Sequence, residues 1–346
     1  MRSNKQNRVW TTSVVVLGLL LVVLTGCKPR QDPGVVPVDQ PRAKIRIVDG
    51  LSVNSMHVML ASKLGYFSEE GLDVDASYVA LGKLAMDALN GNSAEYVGIV
   101  DMNVAQTLFT HKDMAILCEF SEPIRGIKVL GRADKGVKSG KDLKGKKIAV
   151  FFGVNIHVFI QKYLQEQGIE QGQVEFVNFK PPDAAAAFIS GAVDAVVTWE
   201  PLVYNIQQKV GDNVALLTED SQAYWPYKLL LVTRQTRLVQ NRDEARRVLR
   251  AMIKADEFIK REPEKAYGML ASHLQIAPEV MPGFCKEIHY EVRLTPRLLD
   301  MIRFETEWMP KNLPEFFKDK LPVTTDFRSL VADELKSLKP AACQIQ

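Results

Sequence analysis

The chain has 346 residues, of which 47% are hydrophobic and 25% carry a charge. Its 44 Lys and Arg residues against 41 Asp and Glu residues give a formal net charge of +3, which excludes a strongly basic nucleic-acid-binding surface. The length is sufficient for one large or two medium domains, and we expect two lobes.

The N-terminus has the pattern of a secretion signal. Three basic residues precede an uninterrupted apolar run, residues 14–24, which is shorter than the roughly 20 residues of a bilayer-spanning helix. Small Gly26 followed by Cys27 resembles the lipobox of bacterial lipoproteins, whose signal is cleaved before a cysteine that then carries lipid. We therefore expect residues 1–26 to be a signal peptide and Cys27 to be lipidated. The alternatives are a plain signal peptide with an incidental cysteine, or a poor signal anchor.

Removal of this signal makes the remaining chain formally neutral. The signal contains three basic residues and no acidic ones, which leaves 41 of each sign. We therefore expect no nucleic-acid partner. Residues 27–43 contain four prolines and show no helical or strand period, which predicts a flexible tether, with the fold beginning near Lys44.

The other cysteines indicate neither a metal site nor a dense disulfide framework. Cys118, Cys285 and Cys343 are far apart in sequence, and the chain has no CxxC pair. We expect no metal and no cofactor. One disulfide bond is compatible with an exported chain, but the spacing does not select a pair.

Two successive α/β units follow the tether. Both alternate short β-rich runs with helical apolar periods, which predicts mainly parallel sheets with helices packed on their faces. The predicted strands are 44–48, 72–78 and 96–100 in the first unit, and 147–151, 174–179 and 193–199 in the second. The predicted helices are 57–67 and 84–89 in the first unit, and 156–167 and 183–190 in the second.

The C-terminal third has a different pattern. Residues 227–233 form one more predicted strand, and residues 242–261 form an amphipathic helix with one apolar and one charged face. Residues 264–340 are predicted to be mainly helical, with prolines interrupting the helices.

Three segments carry a family resemblance. Residues 61–74 (ASKLGYFSEEGLDV), 142–150 (DLKGKKIAV) and 191–201 (GAVDAVVTWEP) occur in this order. They are similar to landmarks of the periplasmic solute-binding proteins of the nitrate, sulfonate and taurine type, a family that also includes binders of thiamine-pyrimidine precursors.

The resemblance implies a fold and a set of partners. The fold is a two-lobed α/β periplasmic-binding-protein fold of type II, in which the chain crosses between the lobes twice. We place the first lobe at residues 44–130 plus 228–340 and the second at 131–227. The protein would be an exported monomer, lipid-anchored to the membrane, that captures a small-molecule ligand between the lobes and delivers it to ABC permease and ATPase subunits.

Two loops of the first unit contain candidate ligand-binding residues, because open α/β sheets bind ligands beyond the carboxyl ends of their strands. Ser52, Asn54 and His57 follow the first strand, although Asn54 also suits the N-terminal cap of a helix. Asp101 ends another strand, where it is a candidate for ligand contact or for capping the next helix.

A third loop lies at a predicted helix N-terminus. Gly153, Asn155 and His157 lie between a strand and a helix whose apolar face starts at Ile156. Free backbone N–H groups and the helix dipole at such an end favour an electron-rich ligand group. In sulfonate and nitrate binders the matching loop is typically rich in hydroxyls, and the lack of them here speaks against a small inorganic anion.

The fourth loop offers aromatic surface. Trp199 provides a stacking plane and Glu200 a hydrogen-bond acceptor, although this Trp-Glu-Pro motif also suits a hinge role. Residues 224–227 (YWPY), which begin with Tyr224 and end with Tyr227, lie at the second crossover and supply more aromatic surface close to the same cleft. Together the four loops favour a pyrimidine-type heterocycle or an aromatic sulfonate over a nitrate-like anion.

Two other functions are compatible with this fold. A pyrimidine synthase of fungi shares it but uses a His- and Cys-rich segment with iron, whereas the five histidines here are scattered. No nucleophile elbow or HExxH motif occurs, so we expect no enzyme activity. A ligand-sensing domain would use the same closure and is the other alternative.

Overall fold

The computed structural model describes residues 43–345. The predicted signal peptide, the lipidated Cys27 and almost all of the predicted tether lie outside the described residues. Within residues 43–345, no helix is both long and apolar enough to cross a membrane.

The strands form two separate sheets. In chain order they are Ala43–Gly50 (β1), Leu72–Val79 (β2), Tyr96–Val100 (β3), Ala115–Pro123 (β4), Lys128–Arg132 (β5), Lys147–Val150 (β6), Glu175–Asn178 (β7), Ala195–Thr198 (β8), Val214–Thr218 (β9), Leu229–Thr233 (β10) and Ile288–Arg293 (β11). The six-stranded sheet has the order β11-β4-β10-β3-β1-β2, and the five-stranded sheet has the order β7-β6-β8-β5-β9. The chain therefore passes between the sheets twice, after β4 and after β9.

Helices cover the faces of both sheets. In chain order they are Met56–Lys63 (α1), Tyr66–Glu69 (α2), Gly82–Asn90 (α3), Asp101–Thr107 (α4), Asn155–Glu166 (α5), Pro181–Ile189 (α6), Leu202–Val210 (α7), Ser221–Tyr224 (α8), Gln235–Gln240 (α9), Arg242–Arg261 (α10), Pro263–Leu274 (α11), Met281–Cys285 (α12), Pro296–Asn312 (α13), Pro314–Phe317 (α14) and Glu334–Leu338 (α15). We call the six-stranded sheet with its packed helices the first lobe, and the five-stranded sheet with its helices the second lobe.

The α/β class and the two-lobed, twice-crossing architecture are confirmed, and four of the six strands of the first sheet and four of the five strands of the second run in one direction. In the first lobe, β1 runs parallel to β2 and β3, whereas β10 is antiparallel to β3 and β4, and β11 is antiparallel to β4. In the second lobe, β6 is parallel to β7 and β8, and β5 is antiparallel to β8 and β9. The antiparallel pairs come from β5 and β10, which enter each sheet directly after a crossing, and from edge strands.

Continuous apolar runs form the buried central strands. Every residue of β10 is buried, as expected for a strand covered on both faces, and α10 places its apolar stripe, including Val248 and Met252, against the first lobe. The C-terminal residues return to the same sheet, where Val331 bridges Ile116. The residue boundaries predicted for the lobes stay a prediction, and the strands between residues 128 and 218 belong to the five-stranded sheet.

Candidate functional site

A cavity of about 100 Å³ lies between the two lobes at the carboxyl ends of their strands. The first lobe contributes the residues after β1, β2 and β3 and the start of β10, and the second lobe contributes the loop after β6 and the residue after β8. The cavity therefore lies where parallel strands of an α/β sheet place their ligand-binding loops.

Three helix N-termini reach this cavity, those of α3 and α4 from the first lobe and that of α5 from the second, and at α4 the Asp101 carboxylate already accepts from the Met102 N–H. Helix α3 begins at Gly82 and α5 at Asn155, and both residues line the cavity. Their N-cap residues, Leu81 and Val154, make no side-chain capping bond, so the first backbone N–H groups of both helices are not occupied by a cap. These N–H groups and the positive ends of the two helix dipoles favour an electron-rich group between them.

Three asparagines supply side-chain amides to the cavity wall. Asn54 and Asn103 come from the first lobe and are buried, and half-buried Asn155 comes from the second. Asn103 lies directly against Gly82, where an added Cβ would lie 2.3 Å from the Asn103 Oδ1 atom. Each amide both donates and accepts hydrogen bonds, so the three can contact a ligand that has both kinds of group.

Aromatic rings and one lysine complete the wall. Trp199 and Phe151 are half-buried and line the cavity from the second lobe, and buried Tyr227 lines it from the segment before β10. The cavity's lysine, Lys83, has its ammonium 2.8 Å from the Asp87 carboxylate. The Lys83 ammonium is thus already paired within the protein. The aromatic rings of the wall suit a ligand with a flat body.

Two carboxyl groups are buried behind the cavity wall. Asp49 is fully buried beside the cavity residue Gly50, and its Oδ1 accepts hydrogen bonds from the Gly50 N–H (2.7 Å) and the Ser55 hydroxyl (3.1 Å). Burial raises the pKa of the Asp49 carboxyl to about 7. Burial likewise raises the pKa of Asp101, which accepts from the backbone N–H of Met102 at 2.9 Å.

Of the ten predicted ligand-binding residues, four line the cavity. They are Ser52, Asn54, Asn155 and Trp199. The structure thus brings residues of three predicted loops to one place. Their role as ligand contacts stays a prediction.

Two predicted residues of the first lobe lie outside the cavity lining. The His57 ring is fully buried, with Nε2 3.5 Å from the Asp256 carboxylate of α10, and burial lowers the pKa of this histidine. Asp101 binds backbone N–H groups at the start of α4 and before β10. Both side chains are therefore engaged within the first lobe.

The remaining four lie around the second-lobe side of the cleft, also outside the lining. Glu200 forms an ion pair with Lys128, and Tyr224 packs edge-on against Phe159 and Tyr163. His157 stacks on Phe152 with ring centroids 4.7 Å apart, and burial lowers its pKa to about 4. The loop glycine, Gly153, has a positive φ of 74°.

The lobes also contact each other beside the cavity. The side-chain amide of Gln106, in α4 of the first lobe, donates to the Gly153 carbonyl of the second lobe. The ring of Phe316, from α14, lies over the same glycine, within 3.6 Å of the position that a Cβ would take. This contact closes one side of the cleft.

Sequence reasoning missed the loop after β2 and, in the loop after β3, selected Asp101 rather than Asn103. Residues 79–82 have no polar side chain, so only their position after a strand could have indicated them. Asn103 follows β3 by three residues, so its polar side chain after a strand is a usable signal. Across residues 43–345, no cluster of three or more His, Cys, Asp or Glu side chains is arranged to hold a metal ion.

Comparisons with known proteins find a family and relatives that cover most of the chain. The family model described as NMT1/THI5 like matches residues 52–266. A Brucella abortus (strain 2308) protein named as a binding protein is 25% identical over 223 residues, covering 63% of this chain and 67% of its own. A Bacillus subtilis (strain 168) protein named for binding aliphatic sulfonates is 24% identical over 278 residues, covering 79% of this chain and 81% of its own.

A solved structure shares the fold. The periplasmic aliphatic sulphonate binding protein of Escherichia coli superimposes with a TM-score of 0.70 at 18% identity, covering 85% of this chain and 98% of that one. At this identity the likeness establishes the fold alone.

Proposed function

We propose that the chain, which belongs to the NMT1/THI5-like family and has relatives named as binding proteins, is the solute-binding component of an ABC importer, and not an enzyme. It captures a small solute between its lobes and presents the closed form to a permease with its ATPase. The observation that carries this proposal is the meeting of two uncapped helix N-termini, at Gly82 and Asn155, in one cavity between the lobes. A solute bound there touches both lobes and stabilises the closed form.

The ligand is a small organic molecule with one electron-rich group and a flat body. The helix N-termini receive the electron-rich group, and Trp199 receives the flat body. An aromatic sulfonate or a pyrimidine-type heterocycle satisfies both requirements, and the three asparagines favour a ring with donors and acceptors. A bare nitrate ion leaves the aromatic wall without a partner.

Export and lipidation complete the proposal. Relatives are named as periplasmic binding proteins, which supports export of this chain. Cleavage before Cys27 and acylation with a lipid such as palmitate would hold the monomeric binder at the membrane, where tethering raises its effective concentration near the permease.

Calorimetric titration of the purified chain from Lys28 onward tests the ligand class. The titrants are benzenesulfonate, taurine, 4-aminopyrimidine and sodium nitrate at matched ionic strength. We expect saturable binding of a ring compound and no comparable binding of nitrate. Binding of nitrate alone would contradict the ligand class, and turnover of a bound compound would contradict a pure binding role.

A further inference from the structure

A buried lysine beside the cleft is surrounded by three carboxylates. The Lys128 ammonium lies 3.3 Å from Glu200, 3.4 Å from Glu287 and 3.7 Å from Glu219. The Lys128 side chain is 9% exposed and that of Glu200 is 8% exposed, whereas Glu287 is 25% exposed. The cluster is therefore buried at Lys128 and open to solvent at its edge.

The members of this cluster come from both lobes. Lys128 begins β5, Glu200 follows β8 and Glu219 follows β9, so all three belong to the second lobe. Glu287 directly precedes β11 of the first lobe, and its carbonyl accepts from the Ile124 N–H at 2.7 Å. The Lys128–Glu287 ion pair thus joins the two lobes.

Lys128 keeps its charge in this position. Burial lowers the pKa of its ammonium, but attraction to Glu200 and Glu287 outweighs burial, so the pKa is raised overall. A buried charge that loses one of its partners is destabilised far more than an exposed one.

The cluster is connected to the wall of the cleft cavity. Glu200 follows Trp199 directly, and its second carboxylate oxygen accepts from the Tyr204 N–H at 3.0 Å. The Trp199 carbonyl accepts from the Leu202 N–H at 2.9 Å. A small cavity beside the cluster is lined by Glu287, Glu200, Trp199 and Asn54, and the last two also line the larger cavity.

We propose that Glu287 is a positioning residue: it reaches across the lobes to Lys128, which holds Glu200 and thereby fixes the Trp199–Tyr204 turn that walls the cavity. The description of Trp199 as a ligand wall rests on the proposed function, whereas the cross-lobe positioning does not. The position of this turn then depends on the angle between the lobes.

Hydrogen–deuterium exchange of the ligand-free protein tests this positioning. In Glu287→Gln we expect the amides of Leu202, Val203 and Tyr204 to exchange about fivefold faster, since a lost ion pair of about 1 kcal/mol raises the open population by that factor. In 0.5 M NaCl the wild type should shift toward the variant, because the Glu287 side of the cluster is screened.

Three comparison variants make the outcome decisive. Glu279→Gln removes an exposed first-lobe charge and should leave these amides unchanged, and Glu287→Asp should restore part of the protection. Glu219→Gln removes a Lys128 partner without crossing the lobes and should have the smaller effect.

Unchanged exchange at residues 202–204 in Glu287→Gln, or an effect confined to residues 284–290, would overturn the proposal. If Glu287→Gln fails to fold, the wild-type salt series and Glu287→Asp decide it. None of these readouts requires a ligand, so failed ligand titrations would leave the positioning result intact.

Discussion

Trp199 is closely tied to the cleft, because, like Asn54, it lines both the larger cavity and the small cavity beside Lys128. A half-buried tryptophan at the junction of two lobes offers a large apolar plane that a bound ring would cover. Large aromatic side chains in such positions often contribute a disproportionate share of binding free energy.

Replacement of the Trp199 side chain should weaken ligand binding without unfolding the protein. For Trp199→Ala we expect the Kd of the ring compound found by titration to rise about tenfold, the effect of losing roughly 1.4 kcal/mol of aromatic contact. Calorimetry measures the change. Trp308→Ala, which removes a half-buried tryptophan outside this cavity, serves as the control and should leave Kd within about twofold. Equal affinity of the wild type and Trp199→Ala would remove Trp199 from the site.

Asp49 should make the stability of the protein depend on pH. Its folded pKa of about 7 lies above the unfolded value, so the unfolded chain releases this proton first and the native state loses stability as pH rises from about 4 to 7. Asp49→Asn removes this loss. We therefore compare the free energy of unfolding of Asp49→Asn with that of the wild type at each pH. The difference, variant minus wild type, should be about 2 kcal/mol larger at pH 8 than at pH 5.

Urea denaturation at the two pH values measures this difference. Asp73→Asn, at an exposed position on β2, is the matched control and should show no such trend. A pH-independent difference between Asp49→Asn and the wild type would show that the buried carboxyl is already charged at pH 5.

At the scale of elements, helix α3 delivers its N-terminus to the cavity through close contact between Gly82 and Asn103. A Cβ at position 82 would collide with the Asn103 amide, which must then move. For Gly82→Ala we therefore expect ligand Kd to rise about fivefold, the loss of one hydrogen bond of about 1 kcal/mol, with a stability change of about 1 kcal/mol or less.

The control for this substitution is Gly172→Ala. Gly172 is exposed, its added Cβ would meet no atom within 4 Å, and it lies away from the cavity. Thermal denaturation and calorimetry on both variants separate a local effect on the site from loss of the fold. An unchanged Kd in Gly82→Ala would mean that the position of Asn103 does not matter for binding.

Elements with local periodicity could be predicted from the sequence, and elements whose polar residues have distant partners could not. The apolar face beginning at Ile156 predicted α5 to within one residue of its start, and the prediction of β3 matched its bounds. Strand β4 was missed because Glu119, Ser121 and Glu122 interrupt its apolar run. Glu119 and Glu122 pair with Lys228, which lies more than 100 residues away. Strand β11 was hidden in a region predicted to be helical, although its burial alternates with a period of two.

The candidate site was predictable where polar or aromatic side chains follow a strand. Asn54, Asn155 and Trp199 carry that signal, and the structure brings them to one cavity. His57 carries it as well, but the sequence cannot reveal that its ring turns inward to Asp256 on α10, 199 residues away. The loop after β2 lacks this signal, since residues 79–82 include no polar or aromatic side chain.

At the scale of the whole molecule, the distance between the lobes should depend on the contact between Gln106 and Gly153. For Gln106→Ala we expect a larger radius of gyration by X-ray scattering and about a fivefold higher ligand Kd, because one hydrogen bond of about 1 kcal/mol no longer favours the closed form. Gln208→Ala, on the exposed face of α7, is the control. Identical scattering curves for Gln106→Ala and the wild type would show that this contact does not set the lobe angle.

The position of β10 between β3 and β4 has a consequence for biosynthesis. A nascent chain that has reached residue 218 contains all strands of the second lobe, but its first lobe still lacks the strand that joins β3 to β4. The edges of β3 and β4 that pair with β10 therefore stay unpaired until residues 229–233 emerge from the ribosome. The second lobe can be complete while the first is still in two pieces, which makes this interval the time when the growing polypeptide is most exposed to aggregation.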